Sequence, residues 1–143
     1  MSGVFADTLD TWSDWASAGR VYAEVGEALG RRVFWSGHAS HPTALGTCLY
    51  FSFAGAARGT AETAALYDDT WRAAIEACLR AGGNPNHHHN FGLAKRPWID
   101  RTADPAWLAR WRERKARLDP AGLMNPGKLA VPLQTGYERK ANG

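Results

Sequence analysis

Two segments rich in β-branched and aromatic residues lie close together in the chain and constrain its fold most strongly. They are RRVFWSGHASH (residues 31–41) and GTCLYFSFAG (residues 46–55), and the HPTALG stretch that joins them combines proline with glycine. Such runs separated by a few turn-forming residues are typical of paired antiparallel strands. The sequence therefore predicts an antiparallel β-hairpin near the middle of the chain.

Helical patterns flank this hairpin on both sides. The segment SDWASAGRVYAEVGEALG repeats apolar residues at helical spacing, with Ser13 as the predicted N-cap and Gly30 just past the end. A second pattern runs over residues 60–81, where AGGNPN ends it. A third runs over about residues 104–118, with Pro105 in its first turn. Three helices are therefore predicted.

The order of the predicted elements indicates the fold class. GVFADTLDTW, before the first helix, is predicted as a strand or its exit, and a possible further strand follows the second helix. The predicted order is strand, helix, strand, strand, helix and strand. This order makes up most of a ferredoxin-like split β-α-β layer. We predict an α+β fold: an incomplete ferredoxin-like domain whose antiparallel sheet carries helices on one face, followed by a C-terminal helix and tail. The chain opens within an apolar segment, so it is predicted to be a fragment.

Size, charge and cysteine content narrow the class of protein. The 143 residues suit one domain, and no apolar run approaches the roughly 20 residues of a membrane-spanning helix. The two cysteines, Cys48 and Cys78, sit in apolar stretches, which favours a reducing, cytoplasmic setting. The net charge is +3, with a basic last third that could suit phosphate groups or nucleic acid. We favour a solvated helix face there and predict no nucleic-acid partner.

Three consecutive histidines, His87, His88 and His89, follow the glycine-rich turn after the second helix. A metal site, a catalytic cluster and a solvated loop are the alternatives. If this segment is extended, adjacent side chains point to opposite sides, so one metal ion is not readily bound by all three. Imidazoles suit proton transfer near neutral pH. His38 and His41 could approach the same cleft, although a core or turn role is favoured for both.

Three stretches together carry a resemblance to a known family. DTLDTWSDW, then GHASHPTALGTCLYFSF with NHHHNFG, and finally LDPAGLMNPGKL resemble in order and spacing the C-terminal part of the FAD-linked oxidase superfamily. They are most similar to the alkylglycerone-phosphate synthase branch. The resemblance implies that about residues 1–91 are part of a cap or substrate domain. It also implies that about residues 92–143 form a helix and tail returning toward the flavin.

Relatives that act on 2-hydroxy acids carry a GDGN-x-H stretch and an E-H-G-I-G stretch that hold a divalent metal. The corresponding places here read TALGTCLYF and NPNHHHNFG, so Tyr50 replaces a ligand histidine and no glutamate precedes the triplet. This disfavours the metal-dependent branch, and no metal ligand is predicted. The synthase branch instead implies Tyr50 and the three histidines as catalytic residues facing the flavin. Members of the synthase branch usually have glycine directly after the triplet. In this chain Asn90 and Phe91 stand between the triplet and Gly92.

The resemblance also implies a reaction and partners. The synthase branch exchanges the fatty acyl group of acyl-dihydroxyacetone phosphate for a long-chain alcohol in ether-lipid synthesis, using FAD without net redox change. Lys95 and Arg96 are the candidates for a substrate phosphate, and Asn125 and Lys128 for the cofactor. The FAD-binding domain, absent from this chain, would lie in the same polypeptide or in a separate chain. An apolar face exposed by its absence predicts self-association or a partner chain.

Two other functions remain open at this stage. One is the C-terminal portion of an FAD-linked oxidoreductase acting on a hydroxy acid or alcohol. The other is a non-catalytic module that binds a metal, through the triplet with His38 or His41, or binds a protein partner.

Overall fold

A three-stranded antiparallel sheet forms the centre of the first unit of this computed structural model. The structure describes residues 2–129, and the chain divides into one unit over residues 1–90 and another from residue 91 onward. The elements of the first unit are β1 (Ser2–Asp14), α1 (Trp15–Gly30), β2 (Phe34–Ser40), β3 (Gly46–Arg58) and α2 (Gly59–Arg80). The strand order is β1-β3-β2, with both pairs antiparallel. The predicted α+β class and the predicted hairpin are confirmed.

Both helices cover the same face of the sheet. Successive residues of a strand point to opposite faces, and Leu9, Phe51 and Phe53 share the buried one. Phe51 lies 5.7 Å from the ring of Tyr22 on α1, and Phe53 lies 5.7 Å from the ring of Trp71 on α2. The other side of the sheet carries neither helix, and we call it the open face.

The start of α1 differs from the prediction by one residue. Asp14, not Ser13, caps the helix: its carboxylate accepts the backbone N–H of Ser17 at 2.8 Å and the Ser17 hydroxyl at 2.6 Å. Ser13 is buried in β1, because the pairing of β1 with β3 continues through Asp14. Gly30 is likewise the last helical residue rather than the first beyond the helix.

The possible strand after α2 does not form within the described residues. In its place is a single bridge, in which the backbone groups of Trp12 and Asn84 exchange two hydrogen bonds of 2.8 Å. Pro85 comes next and has no N–H to continue a ladder. This bridge attaches the segment leading to the triplet to the outer edge of β1.

The second unit is small and helical. It contains a 3₁₀ turn (Arg96–Trp98), α3 (Ile99–Thr102) and α4 (Pro105–Leu118). The last agrees with the predicted C-terminal helix, and Asp104 caps it by accepting the N–H of Trp107 at 2.6 Å. Turns follow as far as residue 129, and residues 130–132, also predicted as turns or extended chain, lie outside the described residues. Within residues 2–129 no helix is long and apolar enough to cross a membrane.

A hydrogen-bonded carboxylate links β1 to α2. Asp7 accepts the phenol O–H of Tyr67 at 2.6 Å and the indole N–H of Trp71 at 3.2 Å. Burial is the main cause that raises the pKa of Tyr67 to about 12, and the bond to Asp7 adds to it. The phenol is therefore protonated in the folded protein at pH values where the unfolded chain has lost that proton.

This difference predicts how Tyr67→Phe changes stability with pH. A group whose pKa is raised by folding stabilises the fold below its unfolded pKa, and that stability is lost as the pH rises through the folded value. We expect Tyr67→Phe to lower the free energy of unfolding by about 1 kcal/mol at pH 8, for one lost hydrogen bond. The deficit should narrow between pH 10 and pH 12. Urea unfolding of both proteins at pH 8 and pH 11 checks this, and an unchanged deficit would contradict it.

Candidate functional site

The open face carries a row of polar side chains across all three strands. Asp10 of β1 pairs in register with Tyr50 of β3, and Tyr50 pairs with His38 of β2. These positions alternate with Leu9 and Phe51, so their side chains point away from the helices. The rings of His38 and Tyr50 are stacked, with centroids 5.2 Å apart and planes inclined by 29°. Tyr50 therefore stands at the centre of the open face.

The histidine triplet turns tightly over this row. One carboxylate oxygen of Asp10, Oδ2, accepts the backbone N–H groups of His87, His88 and His89 at 2.8, 2.6 and 3.0 Å. Asp10 is fully buried beneath the segment. Three successive N–H groups that converge on an anion form the concave backbone arrangement called a nest. The anion in this nest is supplied by the protein itself, and it fixes the path of the triplet.

The premise that the triplet is extended is therefore wrong. An extended segment would point alternate N–H groups in opposite directions, whereas all three point at Asp10. The rings of neighbouring residues consequently crowd together. The Nδ1 atoms of His87 and His88 lie 2.9 Å apart, which requires one ring to donate and the other to accept.

The turn brings the predicted catalytic side chains into one cluster. The ring centroid of Tyr50 lies 6.1 Å from that of His88 and 5.3 Å from that of His89. Nδ1 of His89 lies 3.5 Å from Asp10 Oδ1, and Nδ1 of His88 lies 3.8 Å from Asp10 Oδ2. His41 also reaches the cluster, with ring centroids 5.3 Å from His87 and 4.9 Å from His88. The structure thus groups one phenol and four imidazoles around one buried carboxylate.

The surroundings of His88 favour its neutral form. Burial is the main cause that lowers the pKa of His88 below 6.5, and the neighbouring His89 lowers it further, against the attraction of Asp10. The lowered pKa of His88 makes its neutral form the predominant one at pH 7, and that form has one N–H to donate and one lone pair to accept a proton.

The other candidate residues lie in the second unit. Lys95 is buried, and its backbone N–H donates to the Phe91 carbonyl at 3.1 Å. Arg96 is half-buried. Asn125 and Lys128 are exposed in the turn after α4, where the backbone N–H of Lys128 donates to the backbone carbonyl of Asn125 at 3.2 Å. Their assignment to substrate phosphate and cofactor stays a prediction.

Asp10 is the residue of this site that sequence reasoning missed. The alternation in DTLDTW already places Asp10 on the face opposite Leu9, beside Thr8 and Trp12. A carboxylate on that face was a visible signal. Its partners were not, because the three N–H groups come from positions 77 to 79 residues further along the chain.

Comparison with known proteins decides the family. The sequence profile of "FAD linked oxidases, C-terminal domain" matches residues 1–129. The chain belongs to this family. The resemblance inferred from the three sequence stretches is thereby confirmed.

Individual relatives agree with this assignment. The chain is 31% identical over 115 residues to alkyldihydroxyacetonephosphate synthase of Trypanosoma brucei brucei, covering 80% of this chain and 19% of that protein. It is 30% identical over 120 residues to the protein of the same name in Dictyostelium discoideum, covering 84% and 20%. A D-2-hydroxyglutarate dehydrogenase of Stutzerimonas stutzeri is 33% identical over 55 residues, covering 38% and 12%. The chain spans about a fifth of the length of the synthases it matches.

Membership of this family makes FAD the cofactor, and the chemistry of the side chains on the open face suits hydrogen bonds to a flavin ring. The Tyr50 ring is stacked against the rings of His38 and His88, with planes inclined by 29° and 21°, so the three rings form one row on the open face. The imidazoles and the phenol add hydrogen-bonding groups at the same place. The matching family profile describes a C-terminal domain of FAD-linked oxidases.

Proposed function

We propose that this chain is the C-terminal, substrate-side portion of an FAD-dependent enzyme resembling alkylglycerone-phosphate synthase. The proposed reaction exchanges the acyl group of acyl-dihydroxyacetone phosphate for a long-chain alcohol. The observation that carries the proposal is the cluster of Tyr50 with His87, His88 and His89 on the open face. The names of the two synthase relatives supply the reaction class.

The chemistry of acyl exchange needs the groups that this cluster offers. FAD, when bound, would supply the flavin ring that activates the substrate carbon for exchange of its oxygen substituent. The departing carboxylate needs no proton, but the incoming alcohol must lose one and the activated carbon must lose and regain one. In this proposal Tyr50 and His88 hold and return these protons, since their rings adjoin and His88 is predominantly neutral at pH 7. Asp10 is a positioning residue, because its contacts are to the backbone of the triplet.

A second candidate is an FAD-linked oxidoreductase acting on a hydroxy acid. The partial match to D-2-hydroxyglutarate dehydrogenase favours it. Tyr50 argues against it, because this position holds a metal-ligand histidine in the relatives that bind 2-hydroxy acids through a metal. The two reactions differ in redox balance: acyl exchange consumes no electron acceptor, whereas oxidation of a hydroxy acid reduces one.

The test uses this chain joined to, or co-expressed with, an FAD-binding domain of the same family. We expect alkyl-dihydroxyacetone phosphate to form from acyl-dihydroxyacetone phosphate and hexadecanol, detected by mass spectrometry, with no reduction of an added dye. Dye reduction by D-2-hydroxy acids without alkyl product would favour the second candidate. A flavin-loaded protein that shows neither activity would contradict both candidate functions.

The isolated chain should bind FAD weakly or not at all. The open face offers hydrogen-bonding groups for the flavin ring only, and the sites for the pyrophosphate and adenine are expected outside this chain. We expect the chain to emerge from gel filtration colourless after incubation with excess FAD. A stoichiometric yellow complex would show that the dinucleotide site has been misplaced.

A further inference from the structure

Four side chains of the first unit bring metal-binding atoms together. The ligand nitrogens of His41, His87 and His88 and the Sγ atom of Cys48 all lie within 4.8 Å of one another. Two of the four belong to the triplet, one lies in the turn between β2 and β3, and one lies on β3. The sequence predicts no metal ligand, because the motifs of the metal-dependent relatives are missing and an extended triplet would not readily bind one ion, although a metal-binding module of the triplet with His38 or His41 stayed an alternative. Cys48 entered that prediction only as a sign of a reducing setting.

Three separate structural elements hold these ligands in place. Cys48 is fully buried on the central strand β3, opposite Trp12 and Ser40. His41 begins the turn between β2 and β3 in a left-handed conformation, with φ at 48°. Residues other than glycine rarely adopt this region, and such outliers concentrate at functional sites. His87 and His88 are fixed through their backbone N–H groups by Asp10.

The donor set selects the kind of ion. Three imidazole nitrogens and one thiolate suit zinc and other borderline divalent ions, whereas calcium and magnesium require oxygen ligands. Zinc bonds of about 2.0–2.1 Å to nitrogen and 2.3 Å to sulfur place tetrahedral ligand atoms roughly 3.3–3.7 Å apart. The observed separations, which reach 4.8 Å at most, therefore need only small side-chain rotations.

We propose that His41, Cys48, His87 and His88 form a tetrahedral binding site for one zinc-class divalent ion. Binding releases the Cys48 proton to solvent, since the thiolate is the ligand, and the three imidazoles bind through lone pairs. Tyr50, His38 and His89 remain outside the set. If the proposed function holds, a bound ion occupies two imidazoles of the catalytic cluster and inhibits the enzyme.

The experiment titrates the full chain with Co²⁺ under reducing conditions, without FAD, and then displaces the cobalt with Zn²⁺. Tetrahedral cobalt bound to a thiolate gives intense visible bands and a near-ultraviolet sulfur-to-cobalt charge-transfer band. We expect both with one equivalent of Co²⁺, and their loss on adding Zn²⁺. Absence of these bands at saturating Co²⁺ would overturn the proposal.

Matched variants identify the ligands. Cys48→Ser should abolish the charge-transfer band, and Cys78→Ser, which alters the other buried cysteine, should leave it unchanged. His41→Asn should weaken Zn²⁺ binding by more than the 10–100-fold typical of losing an outer-shell partner, while His38→Asn should not. Asparagine tolerates the left-handed conformation at this exposed position, so His41→Asn tests the site even where Cys48→Ser fails to fold.

Equal losses in the control variants would overturn the site as assigned. These measurements need neither flavin nor substrate. Their outcome is therefore independent of whether the complete enzyme exchanges acyl groups.

Discussion

Tyr50→Phe should lower the turnover of the complete flavoenzyme by on the order of 10² to 10⁴-fold, the range by which a positioned proton-transfer group accelerates a reaction. The substitution keeps the ring, so the stacking with His38 and the contacts with His88 and His89 are retained. If Tyr50 has no catalytic role, the substitution removes at most one hydrogen bond, about 0.5–1.5 kcal/mol of stability. Turnover is measured by product formation at saturating substrate, alongside flavin content and thermal unfolding.

Tyr22→Phe is the matched control for this measurement. The Tyr22 hydroxyl donates a long bond of 3.4 Å to the Gly37 carbonyl, on the helix-covered side of the sheet. We expect this variant to turn over like the parent. If Tyr50→Phe also stays within a few-fold of the parent, Tyr50 is scaffold and the histidines carry the chemistry alone.

Asp10→Ala should destabilise the isolated chain by about 3 kcal/mol. The carboxylate accepts three backbone N–H groups and is fully buried, and a hydrogen bond to a charged group contributes about 1.5–3 kcal/mol. Three such bonds to one atom do not add, so the loss is smaller than their sum. Urea unfolding gives the global loss. Hydrogen exchange of the backbone amides of residues 87–89 should accelerate at least as much as the loss of global stability predicts, because these N–H groups lose their acceptor.

An exposed carboxylate supplies the control. Asp68 is exposed on α2, so Asp68→Ala should change the free energy of unfolding by no more than about 0.5 kcal/mol. If Asp10→Ala left both stability and amide exchange unchanged, the nest would not be what orders the triplet.

Local signals made most of the fold predictable. The β2–β3 hairpin needs only a turn between two β-rich runs, and α4 begins where Asp104 and Pro105 predict it. Errors arose where a distant partner decided the outcome. Ser13 has the chemistry of an N-cap, but pairing with β3 keeps it in the strand, and Asp14 takes its place.

The candidate site was predictable only in part, for the same reason. The histidine triplet is conspicuous by its chemistry, and Tyr50 was singled out through the family resemblance rather than through any local pattern. The conformation of the triplet depends on Asp10, which lies in β1 at the other end of this unit's sequence. No periodicity within residues 82–90 encodes that contact.

The pairing of β1 with β3 has a consequence for the order of folding. Every pair in this ladder joins residues 2–14 to residues 46–58, across the whole of α1 and β2, whereas the β2–β3 hairpin closes over a short turn. Contacts between distant parts of a chain form slowly, because closing a long loop costs entropy before the contacts can stabilise it. We therefore expect the hairpin to form early and β1 to dock late. Until β1 docks, Asp10 cannot gather the three N–H groups, so the histidine cluster arises only in the last stage of folding.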